Sequence, residues 1–184
     1  MTQKPLIGVL ALQGAVQPHK PHIEAAGGEF RAVKTAEQFD AVDAFILPGG
    51  ESTTMLKLIE AFGLWDSLKK NFIAKPVWGI CAGSILLAQK VTDPEQKSFG
   101  ILPITVQRNG YGSQLDSHHI LIDGYVMSHI RAPIITDAGS TEILAEHDGH
   151  PVWIRSGKNM ATTFHPELTL EFPSPVHRAF IDSL

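Results

Sequence analysis

The sequence predicts an α/β fold: a three-layer open mixed sheet, mostly parallel, with helices on both faces. Three observations point there. Short, almost wholly apolar runs recur along the first half (Leu6 to Leu12, Ala44 to Leu47, Val77 to Ile80), as expected of parallel strands buried on both faces. Capped or amphipathic stretches separate them, which is the alternation of a sheet with crossover helices. Gly49-Gly50 and Cys81 each follow directly on a strand, where open α/β sheets bind their ligands.

Taken in order, Leu6-Ile7-Gly8-Val9-Leu10-Ala11-Leu12 reads as the first strand. A helix over about Val16 to Ala26 follows, closed by Gly27-Gly28, with Pro18 and Pro21 placed to delay or kink its start. Phe30 to Val33 forms a short second strand, and Ala44-Phe45-Ile46-Leu47 a third that is halted by Pro48-Gly49-Gly50. Ser52-Thr53-Thr54 then offers hydroxyl caps to a helix with Met55, Leu58, Ile59 and Phe62 at helical spacing. Val77-Trp78-Gly79-Ile80 is the next strand and runs into Cys81 and a helix through Ile85-Leu86-Leu87. Further strands are expected at Ile101 to Val106, Ile143 to Ala145, Val152 to Ile154 and Met160 to Thr163, with a last helix after Pro175. There is no repeat, low-complexity segment or dividing linker, so residues 1–184 read as a single domain.

The bulk numbers exclude several classes. Hydrophobic residues at 43% and charged residues at 18% argue against disorder. A net charge of -4, with basic residues scattered, argues against a nucleic-acid or anionic-membrane partner. The longest mostly apolar stretch, Val77 to Ala88, falls short of the roughly 20 residues a membrane span needs. One cysteine, and no secretory leader pattern, place the chain in a reducing, cytoplasmic setting. The nine histidines include His19-x-x-His22, His147-x-x-His150 and His118-His119, but no second cysteine or acidic third ligand joins them at a familiar spacing. They read as structural or solvated, and neither metal nor cofactor is expected.

Gly79-Ile80-Cys81-Ala82-Gly83 has the form of a nucleophile elbow. A nucleophile on a sharp strand-to-helix turn sits in a strained backbone, and glycines two positions to either side let that turn close. N–H groups at the helix start surround the charge that develops on sulfur. Phe164-His165-Pro166-Glu167 supplies the partners. Pro166 disfavours helical geometry at His165, so an extended segment is expected, with His165 and Glu167 projecting to one side. The carboxylate can then orient the imidazole, whose other nitrogen takes the thiol proton. In Pro48-Gly49-Gly50-Glu51-Ser52, glycines let backbone N–H groups turn toward a developing oxyanion, with Ala82 supplying a second donor. In isolation Gly-Gly is an ordinary turn and His-Pro-Glu an ordinary surface segment; jointly they complete what the cysteine needs.

In that order, the three motifs resemble the class I (triad) glutamine amidotransferases, and more narrowly the glutaminase subunits of pyridoxal 5'-phosphate synthases. The resemblance rests on Gly8-Val9-Leu10-Ala11-Leu12-Gln13-Gly14-Ala15, Leu47-Pro48-Gly49-Gly50-Glu51-Ser52-Thr53-Thr54 and Cys81-Ala82-Gly83-Ser84-Ile85-Leu86-Leu87-Ala88. Arg108-Asn109, Ile130-Arg131-Ala132-Pro133 and Ala161 to Leu168 extend it over nearly the whole chain. It implies a flavodoxin-like fold and hydrolysis of L-glutamine to L-glutamate and ammonia. Cys81, His165 and Glu167 would form the triad; Gly49, Gly50 and Ala82 would serve the oxyanion; Gly50, Glu51, Ser52, Arg108, Ile130 and Arg131 would hold glutamine. Gln13 would lie at the contact with a synthase subunit in a hetero-oligomeric complex, to which ammonia passes for pyridoxal 5'-phosphate (vitamin B6) synthesis.

The sequence departs from the family at Ser113, where an arginine is usual, in Gln17 to His22, and at Ser128-His129. A glutaminase for another synthase, such as the imidazole glycerol phosphate enzyme, would not carry the Leu-Gln-Gly block. A cysteine peptidase or chaperone of the related superfamily would use a histidine nearer the cysteine and have no use for Glu167. In a silent docking module the elbow would survive only as packing.

Overall fold

Alternation along the strands decides the layers. In the computed structural model, which describes residues 3–110, 118–122 and 124–184, successive strand side chains enter two different apolar clusters. Ile7 and Val9 of β1 (Leu6–Leu10), Ala44 and Ile46 of β3 (Ala44–Leu47) and Trp78 and Ile80 of β4 (Val77–Ile80) face one side. Leu10, Phe45, Leu47 and Val77 face the other. Because both sets are fully buried, each face needs its own cover.

Ile23 of α1 (His19–Ala25) and Val176, Phe180 and Ile181 of α6 (Pro175–Asp182) cover the first side. The second is covered by Phe39 of α2 (Ala36–Ala41), Met55 and Ile59 of α3 (Ser52–Ala61), Leu68 and Phe72 of α4 (Trp65–Ala74) and Leu86 of α5 (Ala82–Leu87). The three-layer α/β expectation therefore holds.

Among the described residues the main sheet has seven strands. With β2 (Glu29–Val33), β10 (Glu142–His147), β11 (His150–Ser156) and β12 (Asn159–Thr162), its order is β10-β11-β12-β4-β3-β1-β2. The five strands from β12 to β2 are parallel, and β10 and β11 pair antiparallel at one edge. Gln13, Gly49-Gly50, Cys81 and His165 thus follow the carboxyl ends of β1, β3, β4 and β12, four neighbouring strands.

Several elements differ from the sequence reading. β1 ends at Leu10, and α1 starts at His19 rather than Val16, with Pro18 as its N-cap. The cap of α3 is not a hydroxyl: the Glu51 carboxylate accepts from the N–H groups of Thr53 (3.4 Å) and Thr54 (2.9 Å). Phe62, at the end of α3, is 63% exposed and outside the core. The short helices α2 and α4 were not expected. A second sheet, β5 (Ala88–Thr92), β6 (Leu102–Gln107) and β9 (Ile134–Asp137), also appears, with a hairpin of β7 (His118–Ile122) and β8 (Tyr125–His129). Of these strands only β6 was anticipated. No helix among the described residues is long and apolar enough to cross a membrane.

Candidate active site

Cys81 occupies the junction of β4 and α5 with φ 49° and ψ -104°, a positive φ that non-glycine residues adopt only under constraint. Its neighbours supply the constraint. The Cys81 N–H donates to Thr162 O on β12 (2.8 Å), and its carbonyl accepts from Ser84 Oγ (2.6 Å) and from the Ser84 and Ile85 N–H groups. A Cβ at Gly79 would lie 2.6 Å from the Gly83 carbonyl, and one at Gly83 would run into the Leu47 carbonyl oxygen. Both flanking glycines are therefore sterically required, as the elbow pattern predicts.

His165 lies three residues past β12, with its N–H donating to the Ser128 carbonyl of β8 at 2.8 Å. His165 itself is non-helical as expected (φ -109°, ψ 84°), bridging to Ser128, while the residues after it form a 3-10 turn, Pro166–Leu168, that brings the two side chains together. His165 Nδ1 donates to Glu167 Oε1 at 2.8 Å, with Glu167 buried and His165 partly so. That bond leaves the opposite ring nitrogen for Cys81, whose side chain also acts on the ring. Burial by itself would lower the His165 pKa; the bonds to Cys81 and Glu167, and their charges, outweigh it and raise the value to about 10. Burial favours a neutral Glu167, but the hydrogen bond from His165 outweighs it and holds its carboxyl below the usual range. The imidazole is thus held by the carboxylate on one side and stands next to the cysteine on the other.

The Gly49-Gly50 turn lies beside this line. A Cβ at Gly49 would fall 2.8 Å from His165 Nδ1, so only glycine lets the turn approach the imidazole. Ala15 N–H donates to the Gly49 carbonyl (3.0 Å), and Gln13 Oε1 accepts from the Glu51 N–H (2.8 Å). Since C=O and N–H of a trans peptide point opposite ways, the first bond turns the Gly50 N–H away from the Gln13-Gly14-Ala15 loop. Gln13 therefore sits under the turn, inside this chain.

Glu51, beyond capping α3, lies 3.9 Å from the Arg108 guanidinium, which donates to Thr53 Oγ1 at 2.7 Å. Ser52 Oγ and Thr53 Oγ1 both donate to Gln96 Oε1, at 3.1 and 3.4 Å. Arg108 Nε is buried without a hydrogen-bond partner among the described residues. Ile130 and Arg131 directly follow the strand that pairs with His165, and Arg131 is exposed with φ 42°. Ser113 lies outside the described residues. The sequence reading gave no site role to Thr53, Gln96, Ser128 or His177, since isolated polar residues give no spacing signal, and it took His19, spaced with His22, as structural or solvated. Asp123-Gly124 between two apolar runs was the available hint of the hairpin that carries Ser128.

Among the described residues, no group of three or more His, Cys, Asp or Glu side chains is placed to hold a metal ion.

The family model of the SNO glutamine amidotransferase family matches residues 9–184. The chain belongs to that family. Within it, the chain is 43% identical to the pyridoxal 5'-phosphate synthase subunit PdxT of Koribacter versatilis, covering 95% of this chain and 93% of that one. The PdxT of Thermotoga neapolitana is 42% identical, with 96% and 97% covered. A solved structure of a glutamine amidotransferase superposes with a TM-score of 0.86 at 38% identity, covering 96% of this chain and 97% of the other. The PurLQS structure from Thermotoga maritima shares the fold at a TM-score of 0.64 and 17% identity. The α/β architecture and the amidotransferase resemblance read from the sequence agree with these relatives.

Proposed function

We propose that the chain is the glutaminase of a pyridoxal 5'-phosphate synthase, hydrolysing L-glutamine to L-glutamate and ammonia. The observation that carries this reading is the buried line Cys81–His165–Glu167 at the carboxyl edge of β4 and β12, with Cys81 on a constrained turn. His165 takes the Cys81 proton, and the sulfur attacks the side-chain amide carbon. The negative charge on its oxygen is met by N–H groups of the Gly49-Gly50 turn and of Ala82. His165 returns the proton to the amine, ammonia leaves, and a γ-glutamyl thioester remains on Cys81. Water then attacks with His165 as base, releasing glutamate and the thiol.

Glutamine lies along Gly50, Glu51 and Ser52, with Arg108, Ile130 and Arg131 completing the site. Arg108 supplies the guanidinium for the α-carboxylate. Glu51 acts there through its backbone, its carboxylate being committed to the α3 cap. Gln13 couples the turn to the synthase subunit, which contacts the loop that holds Glu51 and Gly49. Residues 1–184 act as one domain in a hetero-oligomeric complex in the cytoplasm, where a lone thiol stays reduced.

Acid-quenching the protein during turnover of L-glutamine, with synthase present, tests the thioester. Intact-mass and peptide analysis should find a glutamyl adduct on Cys81 that is lost in Cys81→Ala. An adduct elsewhere, or turnover retained in the variant, would refute the assignment.

A further inference from the structure

Buried histidines of α1 and α6 lie behind the Pro166–Leu168 turn that carries Glu167. α1 lies against the Pro166–Leu168 turn, and His22 Nε2 contacts the Glu167 carbonyl at 3.3 Å. One turn earlier on that helix stands His19, fully buried, as is His177 of α6. Ser174 N–H donates to His22 Nδ1 (3.1 Å), which leaves the His22 proton on Nε2, aimed at that carbonyl. Ser174 Oγ lies 2.6 Å from His177 Nδ1, and His177 Nε2 lies 2.8 Å from His19 Nδ1. At the end of this chain His19 Nε2 is buried without a hydrogen-bond partner among the described residues, and so is Glu167 Oε2.

The direction of the chain follows from the groups at its ends. Ser174 Oγ already accepts from the His177 backbone N–H (3.2 Å), so its own proton is available for His177 Nδ1. His177 then donates from Nε2 to His19 Nδ1, and the His19 proton must sit on Nε2. The reverse order would leave a bare lone pair on His19 Nε2 close to a carboxylate, which Coulomb repulsion disfavours. Burial drives the His19 pKa down to about 4, against the opposing pull of the Glu167 carboxylate, so the ring is a neutral donor at pH 7.

We propose that His19 is a positioning residue for Glu167: its Nε2–H, oriented by the Ser174–His177 relay, holds Oε2 across one bridging water and thereby keeps Oε1 on the His165 ring. This rests on the Cys81–His165–Glu167 reading. His19→Leu removes the donor, whereas His19→Gln keeps an N–H near the Nε2 position. Ser174→Ala frees His177 to reverse.

The measurements are L-glutamine turnover by the full chain with its synthase subunit and the downfield proton NMR signal of His165 Nδ1–H. His19→Leu should lower kcat by tenfold or more, up to about a hundredfold, with the glutamine KM within about twofold. Its Nδ1–H signal should move upfield or vanish; His19→Gln should restore most of both, and Ser174→Ala should show a smaller loss of the same kind. If His19→Leu does not fold, His19→Gln and Ser174→Ala decide, compared with wild type by the same two readouts. Unchanged kcat and an unmoved His165 signal in folded variants would overturn the proposal. An inactive wild type, with and without the synthase, would instead overturn the glutaminase reading beneath it.

Discussion

A cysteine held at positive φ costs stability, on the order of 1–3 kcal/mol, and persists only where its surroundings insist on it. Here they are Gly79, Gly83, Thr162 and Ser84, and the first two were readable because a glycine requirement leaves a mark in sequence. The pairing of His165 with Glu167 was readable for a similar reason, since two residues in one short segment must be neighbours. The histidines behind Glu167 were not, because His19 and His177 meet only after α1 and α6 pack side by side. Replacing Glu167 by Gln exchanges the acceptor on His165 Nδ1 for a neutral amide. The expected loss in kcat is about 10³ to 10⁴, with glutamine binding retained. Steady-state rates beside glutamine binding to the folded variant check this; near-normal turnover would remove Glu167 from the line.

At the level of elements, periodicity served best where burial was two-sided. β3 and β4 were read within a residue because unbroken apolar runs of that length suit only a strand buried on both faces. α2 buries only Phe39, so its six residues carry no stripe to detect. β5 begins where α5 ends, at Ala88, and no turn residue separates them. The α3 cap was assigned to a hydroxyl because serine and threonine are common caps, yet Glu51 stands one residue earlier and its carboxylate reaches two N–H groups. Glu51→Ala should therefore cost about 1 kcal/mol, lowering the thermal midpoint by about 2–4 °C for a chain of this size. Scanning calorimetry without substrate measures it. An unchanged midpoint would mean that the cap contributes nothing.

Across the molecule, the buried histidines and the His165–Glu167 pair set opposite limits on pH stability. Burial lowers the pKa of His19 (to about 4), His22 and His177 from the ordinary 6.5, so the folded state binds fewer protons there than the unfolded chain. Their stabilisation is present above pH 6.5 and is lost as the pH falls toward 4. His165, raised to about 10, stabilises fully below 6.5 and loses that contribution as the pH rises through 10. The thermal midpoint should therefore peak near neutrality and fall on both sides, and removing the His165 ring should flatten the alkaline limb. A midpoint rising steadily from pH 7 to 10 would contradict this assignment.

The same packing that buries these groups brings four loops to one sheet edge, and that convergence is why distant motifs act together. The central claim is that this edge hydrolyses glutamine for a synthase. Its most direct test is glutamate release from L-glutamine by the purified chain, alone and with the pyridoxal 5'-phosphate synthase subunit. The account predicts release that the synthase strongly stimulates and that Cys81→Ala abolishes; no release in either condition would contradict it.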